Sequence, residues 1–520
     1  MITTEQWQDV SAREELLEQL ANELREEEAR ARITEAHGES LVPILTEALM
    51  SDTRVQALRV IANISSEHDP ARTVLLNDAA FCDNLRALLK QLPDLYAQQK
   101  EEILVKASII CVGNLVASEN SEVSQLAQSA GILTAAAAAA CQIGTDAVEV
   151  LVPFIEAVQH DEDMPDSLKT SILSPVIELL LQQLTVPSLT VLKAVCDAEP
   201  SNVIAELADI DELVLVFVDA QDDAMRLASL SILSKLSLSA SQLTSIMRAA
   251  SQHETVSEWQ KWLGDVALAS VSMLRTLSAD EAAAVAAQVS ACIKIPHIYA
   301  QLRLLIALRS MVKDEASARM VFHEAPIGVL AHGITQSLDL CSKVGATTAL
   351  HLASAFVDLW RSLLLCAANV RALTEEQQME LVFNITAVLK HEVNTPVDPR
   401  VAATLSMGAV LCLRFLCLHA APNSLCGALR EAQTVQALGA QIEHIPEDSG
   451  EYVKSEVSRA IAAVVLNQAT ALRGPQVLKE LAQTAANYLR RSRHAVSFFV
   501  LPSSLFGVYS VCCAGAAQGW

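Results

Sequence analysis

The sequence predicts an all-α solenoid, and three observations predict it. The chain runs to 520 residues with no clear domain break, which a repeat array permits because it grows without enlarging any single core. Apolar residues make up 52% of the chain, aromatics only 4%, and Gly and Pro number 16 each. Ala and Leu carry most of the apolar weight; both are strong helix formers, and helix breakers are scarce, so sandwiches and parallel sheets fit poorly. The third observation is an internal repeat near the N-terminus.

Residues 1–35 are expected to form a charged cap helix. The run Glu23-Leu24-Arg25-Glu26-Glu27-Glu28-Ala29-Arg30 mixes charges that pair at i,i+4, and a solenoid needs a polar end. The solenoid is expected over residues 36–494. Asp52 or Thr53 starts the next helix, and Val55, Leu58, Ile61 and Ala62 fall on one side of it at helical spacing. Asn63 points the other way, with Gln56 and Arg59. After a polar turn come Val74-Leu75-Leu76, the corner Ala79-Ala80-Phe81, then Leu85, Leu88 and Leu89.

The layout then repeats. Ala107-Ser108-Ile109-Ile110-Cys111-Val112-Gly113-Asn114-Leu115 parallels Gln56 to Ile64, and Ala130-Gly131-Ile132 follows Asn114 as Ala79-Ala80-Phe81 follows Asn63. Weaker echoes run from Ala228 to Leu236, with Lys235 in the Asn position, and from Ile306 to Met311, with Ser310 there. Others lie at Val410 to Leu418 and Ile461 to Leu466. His160 to Asp166 reads as an acidic turn, and His391 to Arg400, with two prolines, as the clearest linker.

The formal net charge is −24. Nucleic acid is excluded as the expected partner, because phosphate binding wants a basic patch. An acidic surface favours a basic partner, or simply keeps an apolar-rich chain soluble. Residues 1–10 lack an apolar core and do not read as a secretory signal. The 12 cysteines form no framework; Cys412, Cys417 and Cys426 read as core residues, and the compartment as reducing. No phosphate loop, dinucleotide fingerprint, HExxH or nucleophile elbow occurs. The histidines lack metal spacing, so no metal, cofactor or small-molecule substrate is expected, nor a conventional enzyme. His351 reads as a helix residue and His323-Glu324 as a polar turn. Trp259 and Trp262 read either as inter-repeat packing or as an exposed anchor pair. The Asn-x-Ser/Thr matches at Asn63 and Asn384 sit in helical patterns. Asp219, Asp222 and Asp223 precede a helix, where they either meet basic partner residues or serve the helix start.

The stretches Leu58 to Ile64 and Val112 to Val116, each followed by a short helix and a small-residue corner, resemble the armadillo repeat, whose third helix reads roughly A-L-x-N-L. The resemblance spans most of residues 40–490 and implies an armadillo/HEAT-like, right-handed α-solenoid. In that family the third-helix Asn lines a groove and holds an extended partner backbone, which would be the role of Asn63 and Asn114; the alternative is that each ties its own turn. Within the family the Smg GDP-dissociation stimulators look nearest, on three passages: Ala57 to Ile64, Met407 to Leu416 with Ala420-Ala421, and Glu456 to Val465. That resemblance implies a guanine-nucleotide exchange factor and chaperone for Ras- and Rho-type small GTPases with basic, prenylated C-termini. Asp222 and Asp223 would then be lesser electrostatic contributors, and the setting the cytosol, with association to endomembranes or mitochondria. The other reading is a non-catalytic scaffold or transport adaptor. Lys235 and Ser310 depart from the pattern, as does the uncharged tail from Phe498. Residues 495–520 read as an atypical apolar end; Ala495 to Ala517 is about long enough for a membrane span, though Pro502 and two glycines argue against one.

Overall fold

The computed structural model describes residues 7–99, 101–118, 120–160, 166–182, 184–197, 210–253, 257–273, 277–391, 399–421 and 424–444, with residues 456, 457, 459–461, 463, 464 and 467 beyond them. The expected tail at 495–520 and most of the expected linker at 391–400 lie outside these residues. Among the described residues there is no strand, and the chain divides into two compact units, 1–237 and 238–520. The sequence gives no sign of that boundary, because helical patterning continues on both sides of it.

The first unit opens with α1 (Arg13–Glu23), α2 (Glu27–Ala48) and α3 (Arg54–Ser65). The single charged helix expected over 1–35 is thus two helices. The reason is amphipathicity. Leu17, Leu20, Ala21 and Leu24 are buried at the i, i+3, i+4, i+7 spacing of a helix with one apolar face, so α1 packs on α3 as a core element rather than standing in solvent. Trp7 Nε1 and Arg13 Nη1 both donate to the Glu47 carboxylate, each at 2.9 Å, and pin this end down.

Three-helix repeats follow: α4 (Asp69–Leu76), α5 (Ala79–Gln99) and α6 (Glu102–Val116); then α7 (Ser121–Ala130), α8 (Ile132–Ile143) and α9 (Thr145–His160). Gly131 joins α7 to α8 at φ 63°, left-handed backbone that Gly adopts without penalty. The unit closes with α10 (Asp166–Leu181), α11 (Val186–Asp197), α12 (Ile210–Asp219) and α13 (Asp223–Leu233). Equivalent helices stack in rows. The third helices α1, α3, α6, α9, α11 and α13 each touch the next; α2, α5 and α8 form a second row, and α4, α7 and α10 a first. Each repeat buries its apolar stripe only against its neighbours, which defines a solenoid.

The second unit holds α14 (Ala240–Ser251), α15 (Lys261–Met273), α16 (Ala279–Cys292) and α17 (Ile298–Met311). Next come α18 (Glu315–Glu324), α19 (Ile327–Asp339), α20 (Cys341–Val344) and α21 (Ala346–Leu364). It ends with α22 (Ala367–Ala372), α23 (Glu375–Lys390), α24 (Pro399–His419), α25 (Cys426–Glu431) and α26 (Thr434–His444). Its third-helix row is α15, α17, α21, α24; its second is α19, α23, α26. Both units are all-α, armadillo-like stacks. Among the described residues, the 400–419 stretch of α24 is long and apolar enough to cross a membrane, but half of it is buried and it packs on α21 as a core helix.

Candidate partner-binding surface

Asn63 and Asn114 occupy matching last-turn positions on α3 and α6, neighbours in one row. A helix ends with carbonyls that lack N–H partners. Asn63 Nδ2 donates to the Ala21 carbonyl in the last turn of α1 at 2.7 Å, and Asn114 Nδ2 to the Ala62 carbonyl in the last turn of α3 at 2.9 Å. Each Asn therefore caps the preceding repeat's third helix rather than tying its own turn. Asn467 repeats the device on Cys417, at 3.2 Å.

A second network fixes Asn114. The buried Arg72 donates from Nε to the Asn114 carbonyl at 2.9 Å and from Nη1 to Asp69 at 2.6 Å, and Asp69 also accepts from Ser118 at 2.7 Å. Both Asn side chains are half-buried. Each retains an amide oxygen and a second N–H, an acceptor and a donor that match one peptide unit.

Asp222 is the N-cap of α13 and accepts from Met225 N at 2.7 Å; Asp223 lies in the first turn and pairs with Arg226 at 3.4 Å. Both are exposed, so each serves its helix start while adding negative field to the surface. Trp259 is fully buried and packs edge-on to His253, whereas Trp262 is half-buried under Lys261; as an exposed anchor pair they fail. His351 and His323 are exposed helix residues. Cys412 and Cys417 are buried, and burial pushes both thiols up, which suits packing and not nucleophilic chemistry. The two glycosylation-like asparagines spend their amide nitrogens on inter-repeat bonds, Asn384 to the Ala331 carbonyl at 3.1 Å.

The structure adds residues that sequence reading passed over. On α6, Ile103 and Ile110 are exposed, and Ile110 and Asn114 follow Ile103 by seven and eleven positions. On α17, Tyr299, Ile306 and Ser310 repeat that spacing, and again Tyr299 and Ile306 are exposed. Their signal in the sequence was apolar residues on the wrong face of a helix. Beside the α6 strip, a cavity of about 340 Å³ between α6 and α9 is lined by Tyr96, Glu102, Lys106, Asp146 and Glu149.

The two units differ sharply in charge. Of 61 acidic and 37 basic residues, 39 and 15 lie in residues 1–237, leaving 22 and 22 in residues 238–520. The whole net charge of −24 belongs to the first unit. Among the described residues, no cluster of His, Cys, Asp and Glu is arranged to hold a metal.

No family model and no curated protein matches the chain. Solved structures do resemble it. One comes from work on a phosphorylation switch controlling the interaction between cadherin and beta-catenin: 13% identity, 98% of this chain and 97% of that chain covered, TM-score 0.46. Another is the SYS-1/POP-1 complex, with 12% identity, 98% and 92% coverage and TM-score 0.42. A third is an engineered protein, with 14% identity, 92% and 98% coverage and TM-score 0.38.

Proposed function

We propose that this protein is a non-enzymatic interaction scaffold whose first unit holds a basic segment of a protein partner. The observation that carries the reading is the charge division: an excess of 24 carboxylates on one unit, none on the other. A field of one sign draws an oppositely charged partner and speeds its encounter. Along the third-helix row, Glu102, Asp146 and Glu149 at the α6–α9 cavity would take Lys or Arg side chains. Ile103 and Ile110 would pack apolar residues, and the free amide groups of Asn63 and Asn114 would hold backbone. Asp222 and Asp223 would strengthen the field at the α13 end.

Fluorescence anisotropy of a labelled Lys/Arg-rich peptide tests this. Binding should weaken at least tenfold between about 50 mM and about 500 mM salt, as surface charges are screened. A neutral or acidic peptide binding equally well to the first unit would count against it.

The same observation favours one narrower reading, a regulator of small GTPases with basic, prenylated tails, acting in the cytosol. Such a tail is basic, and burying each CH₂ of a prenyl chain contributes about 0.8 kcal/mol. Exchange would need no bond-making chemistry, only tighter binding of the nucleotide-free GTPase. Release of fluorescent GDP from a panel of Ras- and Rho-type GTPases decides it; no acceleration leaves the scaffold.

A further inference from the structure

We propose that Cys417 and Cys426 form a redox-sensitive dithiol that closes into a disulfide and pins the end of α24 to the start of α25. Repeat register brings the two together. Asn467 caps the Cys417 carbonyl as Asn114 caps the Ala62 carbonyl, so Cys417 stands where the first unit has Ala62. Carried forward without a gap, that alignment matches Cys426 to Ala71 and the α25 C-cap Ala432 to the α4 C-cap Asn77. It also matches Thr434, which opens α26, to Ala79, which opens α5. Both C-caps donate to the carbonyl four residues back, Asn77 to Thr73 and Ala432 to Ala428. Ala62 and Ala71 are 6% and 2% exposed, two small buried side chains at the corner between a third helix and the next repeat's first. The second unit has a thiol at each of these positions.

The contacts agree with the register. Asn467 reaches both residues: its Nδ2 donates to the Cys417 carbonyl at 3.2 Å, and its backbone carbonyl accepts from Cys426 Sγ at 3.9 Å. Cys417 is 5% exposed and Cys426 half-buried, so an oxidant from solvent meets Cys426 first. Burial raises the Cys426 thiol, and Arg430, one turn on, opposes the rise. Burial, and then the charge of Cys426, raise the Cys417 thiol. Cys417 therefore acts second, as the intramolecular partner, where proximity makes up for a scarce thiolate. With glutathione disulfide as the oxidant, the Cys426 sulfur attacks one glutathione sulfur, the S–S bond breaks, and one glutathione leaves with the thiol proton. The Cys417 sulfur then attacks the Cys426 sulfur of the mixed disulfide, and the second glutathione leaves with the second proton. Two electrons pass from the protein to glutathione. In a reducing setting such a pair rests as thiols and closes only transiently. The device does not depend on what the first unit binds.

Peptide mapping tests this. Trypsin cuts after Arg414 and Arg430 and nowhere between, so one peptide, 415–430, carries both thiols and excludes Cys412. The full native chain is equilibrated in glutathione buffers of rising oxidation, its remaining thiols are trapped with N-ethylmaleimide in denaturant, and the digest is weighed. The peptide should become two hydrogens lighter and carry no maleimide. In Cys417→Ala, which installs the first unit's residue, Cys426 should stop as a mixed disulfide with glutathione. In Cys426→Ser, Cys417 should remain a free thiol. The chain unfolded in urea should need a buffer about tenfold or more further oxidised to close the same bond, because only the fold holds the thiols together. Maleimide on both thiols throughout the series, or closure that is equal in native and unfolded chain, overturns the proposal. So does glutathione on Cys417 in the Cys426→Ser variant, because the buried thiol is then no second partner.

Discussion

The two units run the same helical row with different last-turn chemistry. In the first, Asn63 and Asn114 spend their amides on the preceding helix, and the unit carries the chain's whole excess of carboxylates. In the second, α17 and α24 carry Ser310 and Leu418 in their last turns, the charge is balanced, Asn467 caps the Cys417 carbonyl of α24, and further inter-repeat amides lie in other rows. Asn369 donates to Ala318 in the first row; Asn384 to Ala331 and Gln441 to Leu389 in the second. Stacking of repeats therefore does not require one particular ladder. The units differ instead in charge: the first carries the whole excess of carboxylates and the second none.

The largest expected effect breaks the first unit alone. A Cβ on Gly113 would meet the Phe154 ring of α9 at 2.2 Å, whereas one on Gly328 in α19 meets nothing within 4 Å. Gly113→Val should cost about 3 kcal/mol of stability, and Gly328→Ala should be neutral or slightly stabilising, by denaturant titration. Next, Asn114→Leu removes the cap on the preceding third helix. It leaves the Ala62 carbonyl without its donor and should cost about 2 kcal/mol. The reverse change, Leu418→Asn, should stay within about 0.5 kcal/mol.

A smaller effect is expected from charge. Neutralising Glu102, Asp146 and Glu149 to Gln, Asn and Gln should weaken basic-peptide binding about tenfold, roughly 1.4 kcal/mol. The matching triple in the second unit, Glu375→Gln, Glu376→Gln and Glu431→Gln, should change it less than about twofold.

The smallest effect is one the units share. His68 accepts from Ala71 N as the N-cap of α4, and His297 from Ala300 N as that of α17. Burial, joined at His68 by Arg30 and Arg72 and at His297 by Lys261, holds both below the ordinary histidine value. The unfolded chain therefore takes up protons more readily. The caps' contribution is complete above about pH 6.5 and is lost as pH falls below it. Melting temperature should drop between about pH 7.5 and about pH 5.5, and His68→Asn, which caps without titrating, should lessen the drop.

Much of the fold was legible. The stripe Leu58, Ile61 and its copy Ile109, Val112 gave the helices and the repeat, because a core-facing stripe is local and periodic. The Asn63–Asn114 equivalence was legible for the same reason. What their amides do was not, because each acceptor lies 42 or 52 residues away on another helix, a relation that spacing does not encode. The burial of Trp259 and the splitting of the first 35 residues into two helices also depend on what packs alongside. The unit boundary left no mark, since Ser239 begins the next helix with an ordinary capping box.

The most direct test of the central claim is hydrogen–deuterium exchange of the full chain with and without a Lys/Arg-rich peptide. The account predicts added protection in α3, α6 and α9 of the first unit, lost in the Glu102, Asp146 and Glu149 triple variant, with the second unit unchanged. Protection confined to the second unit, or spread equally over both, would contradict it.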